Sequence, residues 1–269
     1  MDNPLPRKRT ATPGSIAFYA VLGIRLGGLQ IPDLIAQMEA WILAHDYGHC
    51  ITFANVHVVM EAQRDDHFRA ILKSQDVLNV PDGKPLVWLG RSQGFPLKRR
   101  VYGPDLMNDF CTVTADKGYR HFLYGAAPGV PERLAAVMKD RFPGINIVGT
   151  YSPPFRPLSA AEDEDVVNMI NAARPDVLWI GLGCPKQEKW AFEHRSRLDV
   201  PVLAAVGQAF NLHAGVTPQA PRWMREHGWE WLFRFASEPR RLWKRYLVYN
   251  SQFITYILLE RAGLKRFGM

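Results

Sequence analysis

The stretch Val177–Glu188, which reads VLWIGLGCPKQE, decides the fold class of this chain. Its apolar first part, Val177–Gly181, predicts a buried strand. Pro185 suits the first position of a following helix, because the missing N–H of proline costs nothing there. A strand that runs through a glycine turn into a helix start is typical of nucleotide or phosphate sites in α/β proteins, since unpaired N–H groups favour an anion. The strict GxGxxG spacing is absent, so this motif alone is not specific.

Strands and helices are predicted to alternate along most of the chain. We expect strands at 18–22, 50–54, 76–80, 121–125, 146–150, 177–181 and 202–206. We expect helices at 32–45, 58–75, 85–92, 104–117, 131–142, 159–173 and 185–197. This alternation predicts an α/β, Rossmann-like fold, with a mostly parallel sheet and helices on both of its faces.

The carboxyl edge of such a sheet is where its ligands bind. Five turns are expected to meet at this edge, at 54–55, 81–83, 125–126, 181–183 and 207–209. The sequence therefore predicts a binding site built from strand ends.

The positive charge is concentrated towards the C-terminus. The 269 residues carry a net charge of +7, of which residues 222–269 hold +6 and the preceding residues only +1. Four of the eight tryptophans also follow residue 221. Basic and aromatic residues together favour an anionic membrane surface. The less favoured alternatives are an ordinary solvated helix face and, last, single-stranded nucleic acid.

This distribution divides the chain into three segments. Residues 1–14 are polar and basic and are expected to form a disordered arm. Residues 15–220 hold the alternating elements and form the predicted Rossmann-like domain. Residues 221–269, where helices are expected to replace the alternation, form a helical membrane-associating appendage.

The sequence favours neither secretion, nor a membrane span, nor a bound metal. The N-terminus lacks the apolar core of a signal peptide, and no run approaches the roughly 20 apolar residues that cross a bilayer. Cys50, Cys111 and Cys184 show no metal spacing and favour a reducing compartment. The acidic run at 163–165 matches a DxD pattern, but it lies in the first turn of a predicted helix, where acids favour the helix dipole. We therefore expect no metal and no cofactor.

Several polar residues near the predicted strand ends are candidates for chemistry. Asp82, in a Pro-Asp-Gly turn, could be a general base, although Asp-Gly pairs more often serve the turn itself. Asn55 could bind a sugar or phosphate oxygen, but a helix cap is the safer interpretation. His57 and His213 are alternative bases, although lone histidines of this kind are more often structural. Arg100 precedes a helix start and suits a diphosphate, or else is a solvated surface charge.

Taken together, the segments resemble the WecG/TagA/CpsF family of bacterial glycosyltransferases. The matching runs occur in family order and are TFAN at 52–55, PDGKPLVW at 81–88, RVYGPDL at 100–106, GLGCPKQE at 181–188, AG at 214–215, APRW at 220–223, WEWLFR at 229–234 and EPRR at 238–241. The resemblance implies transfer of a sugar from a UDP-sugar to a polyprenyl-diphosphate-linked saccharide in surface polysaccharide synthesis. It implies an inverting, metal-independent enzyme that is peripheral to the cytoplasmic face of the membrane. The donated sugar stays open between N-acetylmannosamine, its uronic acid and glucose.

The resemblance also assigns roles to residues. It makes Asp82 the base, and it adds Arg100, Arg234 and Arg241 as catalytic residues. The candidate substrate-binding residues are Thr52, Asn55, Gly83, Gly125, Ala126, Gly181, Gly183, Pro185, Gln187, Glu188, Gly207, Gln208, Asn211 and Arg245. Gln187 is expected near the nucleotide-sugar, and the appendage is expected to contact the membrane. A homo-oligomer is left open, and no nucleic acid partner is expected.

The sequence departs from the family pattern at two places. Some members have a catalytic threonine where this chain has Phe53, and Thr52 lies one position earlier, so strand alternation points it to the opposite face. A turn that ends in aspartate in many members ends here in Asn211, which replaces a carboxylate with an amide.

Two other functions compete with this interpretation. An NAD-dependent oxidoreductase would use the same glycine turns, but no GxGxxG follows the first strand and no ribose-binding acid stands at the expected spacing. A non-enzymatic module that binds anionic lipid or nucleic acid would explain the basic C-terminus. It would not explain the converging turns that are expected within the first 220 residues.

Overall fold

The structure is a computed structural model that describes residues 16–221, 223–224, 230–237 and 239–268. Its strands are β1 Phe18–Val21, β2 Ile24–Gly27, β3 His49–Ala54, β4 Val77–Pro81, β5 Arg120–Gly125, β6 Asn146–Tyr151, β7 Val177–Gly181 and β8 Val202–Ala205. Six of them form one parallel sheet in the order β4-β3-β8-β7-β5-β6. This confirms the predicted α/β, Rossmann-like class.

Helices cover both faces of the sheet. They are α1 Ile31–Leu43, α2 Val56–Ala62, α3 Asp66–Lys73, α4 Lys84–Ser92, α5 Gly103–Thr114, α6 Val130–Arg141, α7 Ala160–Ala173, α8 Lys186–His194, α9 Ala209–His213, α10 Glu230–Ser237, α11 Pro239–Trp243 and α12 Asn250–Arg261. A short 3₁₀ turn follows α5, and a π-helical segment, Lys244–Tyr249, joins α11 to α12.

Alternating side chains of the central strands enter two separate hydrophobic cores. In β7, Leu178 and Ile180 pack into one core, whereas Val177 and Trp179 pack into the other. A strand buried on both faces needs apolar residues at every position, because successive side chains point to opposite faces. The run that begins VLWI meets this requirement, which is why it reads as a continuous apolar stretch.

Three predicted elements differ from the structure. The strand expected at 18–22 is not part of the sheet, since β1 pairs with the unpredicted β2 as an antiparallel hairpin. The helix expected at 58–75 is two helices, because the Asp65 side chain accepts a hydrogen bond from the Phe68 N–H and starts α3 anew. The helix expected at 185–197 begins at Lys186 and ends at His194, and α9 was not predicted.

The last helix lies against the α/β domain. Tyr249 donates a hydrogen bond to Glu61 of α2 over 2.6 Å, and the Arg64 guanidinium stacks on the Tyr249 ring at 4.1 Å. Phe253 of α12 is buried in the core. After Pro221 the described elements are all helical, as the sequence predicts. The division at residue 221 into a domain and an appendage stays a prediction.

Many large apolar side chains of the C-terminal helices face solvent. They are Trp223, Trp231, Leu232, Trp243, Leu247, Ile254 and Leu258, and Leu264, after the last helix, is exposed as well. Across the described ranges, no helix combines the length and the hydropathy needed to cross a bilayer. The arm predicted at 1–14 lies outside the described residues.

Candidate active site

The turns at the carboxyl edge are brought together by strand register and by hydrogen bonds between neighbouring turns. Ala54 pairs with Pro81, and Gly125 pairs with Gly181, so the strand ends are level. The Asp82 N–H donates to the Ala54 carbonyl over 2.8 Å, and the Gly207 N–H donates to the Ile180 carbonyl over 3.0 Å. The predicted convergence of the turns is therefore confirmed. The edge has two halves of different character.

The half formed by the ends of β5 and β7 and the turn at Gly207, here called the closed half, is packed with protein atoms. A Cβ on Gly125, at φ +125°, would lie 2.6 Å from the Gly181 carbonyl carbon, and a Cβ on Gly181 would lie 2.8 Å from the Phe210 ring. Ala126 also has a positive φ, and its N–H donates to the Gly181 carbonyl. These glycines are required by packing within the protein, independently of any ligand.

Gln187 is used internally in the closed half. Its side-chain oxygen accepts a hydrogen bond from the Gly183 N–H over 3.1 Å, and its amide nitrogen donates to the Ala205 carbonyl over 2.7 Å and to Glu188 Oε1 over 3.0 Å. Its side chain also contacts the turn at Gly207, where a Cβ would lie 3.1 Å from Gln187 Oε1. With 5% of its surface exposed, Gln187 ties the β7–α8 turn to the end of β8.

Glu188 follows Gln187 in α8 and is almost fully buried. Burial raises the pKa of its carboxyl to about 7, against the opposing effect of hydrogen bonds from Gln187 and Cys184. Pro185 caps α8 instead of taking its first position. A Cβ on Gly183 would meet no atom within 4 Å, so this glycine faces open space.

The half formed by the ends of β3 and β4, here called the open half, borders solvent. Asn55 caps α2 by accepting a hydrogen bond from the Val58 N–H over 3.3 Å, as its capping interpretation predicts. Asp82 is half-buried and directly precedes Gly83, the N-cap residue of α4. A Cβ on Gly83 would lie 3.3 Å from Asn55 Cβ, so the two turns are in contact. This contact places Asn55 beside the Asp82 turn.

A cleft of about 950 Å³ is lined by Lys84, which directly follows Gly83 of the open half, whereas Asp82 and Asn55 do not line it. Its volume lies within the usual range for ligand pockets. Its basic residues are Lys84, Arg91, Lys98, Arg99 and Arg100. Its acidic residues are Asp105 and Asp109. This excess of basic groups suits an anion with several charges, such as a diphosphate.

The loop that carries three of these cations is held in place by hydrogen bonds. Gln30 accepts from the N–H groups of Lys98 and Arg99 and donates to the Arg99 carbonyl over 2.9 Å. Arg91 donates to the Lys98 carbonyl over 2.7 Å. The Val101 N–H donates to the carbonyl of Pro81 over 2.8 Å, which fixes the loop to the residue before Asp82. The backbone of the loop that carries these cations is thus fixed by contacts within the protein.

The cations of this cleft repel one another. The pKa of the Lys84 ammonium is lowered by partial burial and then by the guanidinium groups of Arg100 and Arg91. Arg100 itself stacks on the Tyr102 ring at 4.0 Å. An anion bound between these groups would relieve the repulsion, which favours anion binding here.

Thr52 lies in the middle of β3 with 2% of its surface exposed. Phe53 packs into the core on one face of the sheet, whereas Ala54 packs into the other, so the predicted alternation is confirmed. Thr52 consequently lies inside the sheet and away from the cleft. Gln208 caps α9 and Asn211 lies within it, at the end of β8 between the two halves.

The side chains of Arg234, Arg241 and Arg245 lie outside the described part of the structure, so their roles stay predictions. The two alternative bases make contacts within the protein. His57 stacks on Tyr249, and His213 contacts the Pro104 carbonyl at 2.9 Å. Burial lowers the pKa of His213.

The acidic run at 163–165 is engaged in ion pairs. Asp163 contacts His194 at 2.7 Å and Arg197 at 2.6 Å, and Glu164 contacts Arg197 at 2.7 Å. Among the described residues, no three side chains of His, Cys, Asp or Glu are grouped so as to hold a metal ion.

The sequence interpretation missed the basic residues of the cleft other than Arg100. A signal was present, because Lys84, Val87, Trp88 and Arg91 recur at spacings of three and four and so share one face of α4. The loop cations could not be joined to them from the sequence, since Gln30 holds the loop from 68 positions away.

The fold and the site define an α/β enzyme whose candidate site lies at the carboxyl edge of a parallel sheet, beside a cationic cleft. Residues 19–267 match the model of the Glycosyl transferase WecG/TagA/CpsF family. The chain belongs to this family, as its motifs suggested, and is a glycosyltransferase.

Relatives with established names support the same assignment. Proteins of Bacillus spizizenii and Bacillus subtilis are each 29% identical over 88% of this chain, covering 89% and 90% of their own lengths. A protein of Staphylococcus aureus is 28% identical over 84% of this chain and 85% of its own length. All three are named N-acetylglucosaminyldiphosphoundecaprenol N-acetyl-beta-D-mannosaminyltransferase.

Proposed function

We propose that this enzyme transfers N-acetylmannosamine from its UDP-sugar to an N-acetylglucosamine that is linked through diphosphate to a polyprenol. The sugar and the acceptor are those in the names of the relatives. The observation that supports the proposal is the hydrogen bond from the Val101 N–H to the Pro81 carbonyl, which joins the cationic loop of the cleft to the residue before Asp82. Two neighbouring segments thus offer a carboxylate for a proton and cations for a diphosphate.

In the proposed mechanism Asp82 accepts the proton of the acceptor hydroxyl as that oxygen attacks the anomeric carbon of the donor. The bond from the anomeric carbon to UDP breaks as the new bond forms, which inverts the configuration. Cations of the cleft, together with the arginines predicted at 234 and 241, balance the charge of the diphosphates without a metal ion. The positive end of the α4 helix dipole adds to this field.

We further propose that the enzyme works at the cytoplasmic surface of the membrane. The exposed tryptophans and leucines of the C-terminal helices and the +6 charge of residues 222–269 support a peripheral association with anionic lipid. The predicted appendage would position its arginines only on docking, so activity would be lower away from a membrane.

A panel of UDP-sugars tested with a synthetic polyprenyl-diphosphate N-acetylglucosamine acceptor decides the proposal. We expect transfer from UDP-N-acetylmannosamine, a β-linked product from an α-linked donor, and equal rates with and without a chelator. Transfer from UDP-glucose alone would refute the assigned sugar, and loss of activity with the chelator would refute metal independence. Thermal stabilisation by NAD in place of UDP would refute the nucleotide-sugar site.

A further inference from the structure

A second, apolar groove lies between α4 and the last helix. It has a volume of about 340 Å³, at the lower end of the range for ligand pockets. Val56 and the α4 residues Pro85 and Leu89 line one side of it. The α12 residues Phe253, Ile254, Ile257 and Leu258 line the other. Asn250 also lines the groove and is polar, whereas the residues named above are all apolar. The groove therefore suits a hydrocarbon chain.

The groove and the cationic cleft lie on two faces of the same helix. Lys84 and Arg91 of α4 face the cleft, whereas Pro85 and Leu89 face the groove. Trp88 lines both, with 60% of its surface exposed. A ligand that passes over the Trp88 ring would therefore place a charged part on one side and an apolar part on the other. Indole suits such a boundary because it is a large apolar ring with one polar N–H.

The groove also begins beside the candidate base. Val56 follows the cap residue Asn55, and Pro85 is three positions after Asp82, so this side of the lining adjoins the open half. On the far side, Ile254 and Leu258 remain more than half exposed although α12 is packed on the domain through Phe253. No described part of the chain covers these two side chains, which leaves apolar surface for an external ligand.

We propose that the groove binds the isoprenoid units of the acceptor lipid nearest to the diphosphate, with the diphosphate in the cleft on the other side of Trp88. The inference rests on the proposed function, since it takes its ligand from it. Charge complementarity in the cleft and continuity across Trp88 select this occupant over the acyl chain of a membrane phospholipid. Apolar contact along the groove would hold the lipid while the cations hold its head.

The test compares two acceptors that share the diphosphate N-acetylglucosamine head, one with a long polyprenyl chain and one with a short alkyl chain, both in detergent. The substitutions Ile254→Glu and Leu258→Glu put a carboxylate into the groove at exposed positions, so the fold is kept. We expect the ratio of kcat/KM for the long acceptor to that for the short one to fall at least about tenfold, because burying one such side chain contributes enough for that factor.

Leu264→Glu is the matched control, because Leu264 is an exposed apolar residue of the same segment that does not line the groove. We expect its ratio to equal that of the wild type. An unchanged ratio in both groove variants, or an equal fall in the control, would overturn the proposal. Weaker co-sedimentation of the groove variants with acceptor-free vesicles, at an unchanged ratio, would assign the groove to membrane lipid instead.

A crosslinking measurement separates this inference from the proposed function. A polyprenyl diphosphate with a photoreactive group in its first isoprenoid units should label peptides of α4 and α12 in the wild-type chain. Labelling there without transfer from any UDP-sugar would refute the proposed reaction and keep the groove. Transfer without labelling of these helices would keep the reaction and refute the groove.

Discussion

The two halves of the carboxyl edge use the same kinds of turn for different purposes. In the closed half, a side chain on Gly125 would clash with Gly181, and a side chain on Gly181 would clash with the Phe210 ring. The side-chain amide of Gln187 is hydrogen-bonded to the backbone of neighbouring segments. In the open half, the Asp82 turn adjoins a cleft with five cations. A glycine turn at a strand end thus need not mark a ligand contact. We propose that the proton transfer takes place in the open half, and the substrate contacts predicted for the closed half stay a prediction.

The largest effect should come from the base of the open half. Asp82→Asn keeps the shape of the turn but removes the proton acceptor, so we expect turnover to fall at least about 100-fold. Binding of UDP, measured by calorimetry, should stay close to that of the wild type. Asp140→Asn, the same change at an exposed position of α6, is the control and should leave turnover as it is. Turnover by Asp82→Asn near the wild-type rate would remove Asp82 from the mechanism.

The glycines of the closed half should affect stability most. Gly125→Ala forces a Cβ to within 2.6 Å of the backbone of Gly181 at a positive φ, and we expect it to lower the free energy of unfolding by about 3 kcal/mol. Gly183→Ala also puts a side chain at a positive φ, +82°, but with open space around its Cβ, so about 1 kcal/mol is expected. Urea unfolding of both variants gives the comparison. Equal losses would show that packing does not distinguish these two turns.

Glu188 should make the closed half sensitive to pH. Its carboxyl has a pKa of about 7 in the folded chain against 4.5 as the ordinary value, so the folded state binds a proton that the unfolded state releases between these pH values. The free energy of unfolding of the wild type should therefore fall as pH rises through this window. Glu188→Gln removes the fall and should be more stable by on the order of 2 kcal/mol at pH 8.

Unfolding curves at pH 4.5 and pH 8 would check this expectation. The wild type and Glu188→Gln should differ little at the lower pH, where the carboxyl is protonated in the folded state. An equal difference at both pH values would indicate a packing effect and would contradict the raised pKa.

The smallest effect should come from a single cation of the open half. Lys84→Gln removes one of five positive charges from the cleft, and we expect about a fivefold rise in the KM of the lipid-linked acceptor. Lower salt should enlarge the difference, because weaker screening strengthens charge interactions. Lys139→Gln, at an exposed position of α6, serves as the control. An equal effect in the control would assign the change to net charge instead of to the cleft.

The sequence predicts the sheet well because its signals are local. The run at 177–181 is apolar at every position, as a strand buried on both faces must be, and the cap at Asn55 follows from its place before a helix. The break at Asp65 also had a local signal, since aspartate is a preferred cap residue. In the β1–β2 hairpin, β1 was predicted as a strand, but its antiparallel partner β2 was missed.

The character of the two halves was not predictable from the sequence in the same way. The sequence does not show whether a glycine makes room for a ligand or for the protein's own backbone. The backbone that lies against Gly125 is that of Gly181, 56 positions away. The cleft likewise depends on Gln30, which holds the loop of Lys98 and Arg99 from a distant part of the chain. Such contacts are set by tertiary packing, so only the structure assigns Gln187 to the scaffold and Lys84 to the cleft.

Trp88 lies between the cationic cleft and the apolar groove, so its fluorescence reports on the boundary between these two surfaces. Indole fluorescence shifts to shorter wavelength when water around the ring is replaced by hydrocarbon, and this ring is now largely open to solvent. The difference between the spectra of the wild type and of Trp88→Phe isolates its signal from those of the other seven tryptophans. Arrival of a lipid at the enzyme can therefore be followed in real time without attaching a dye.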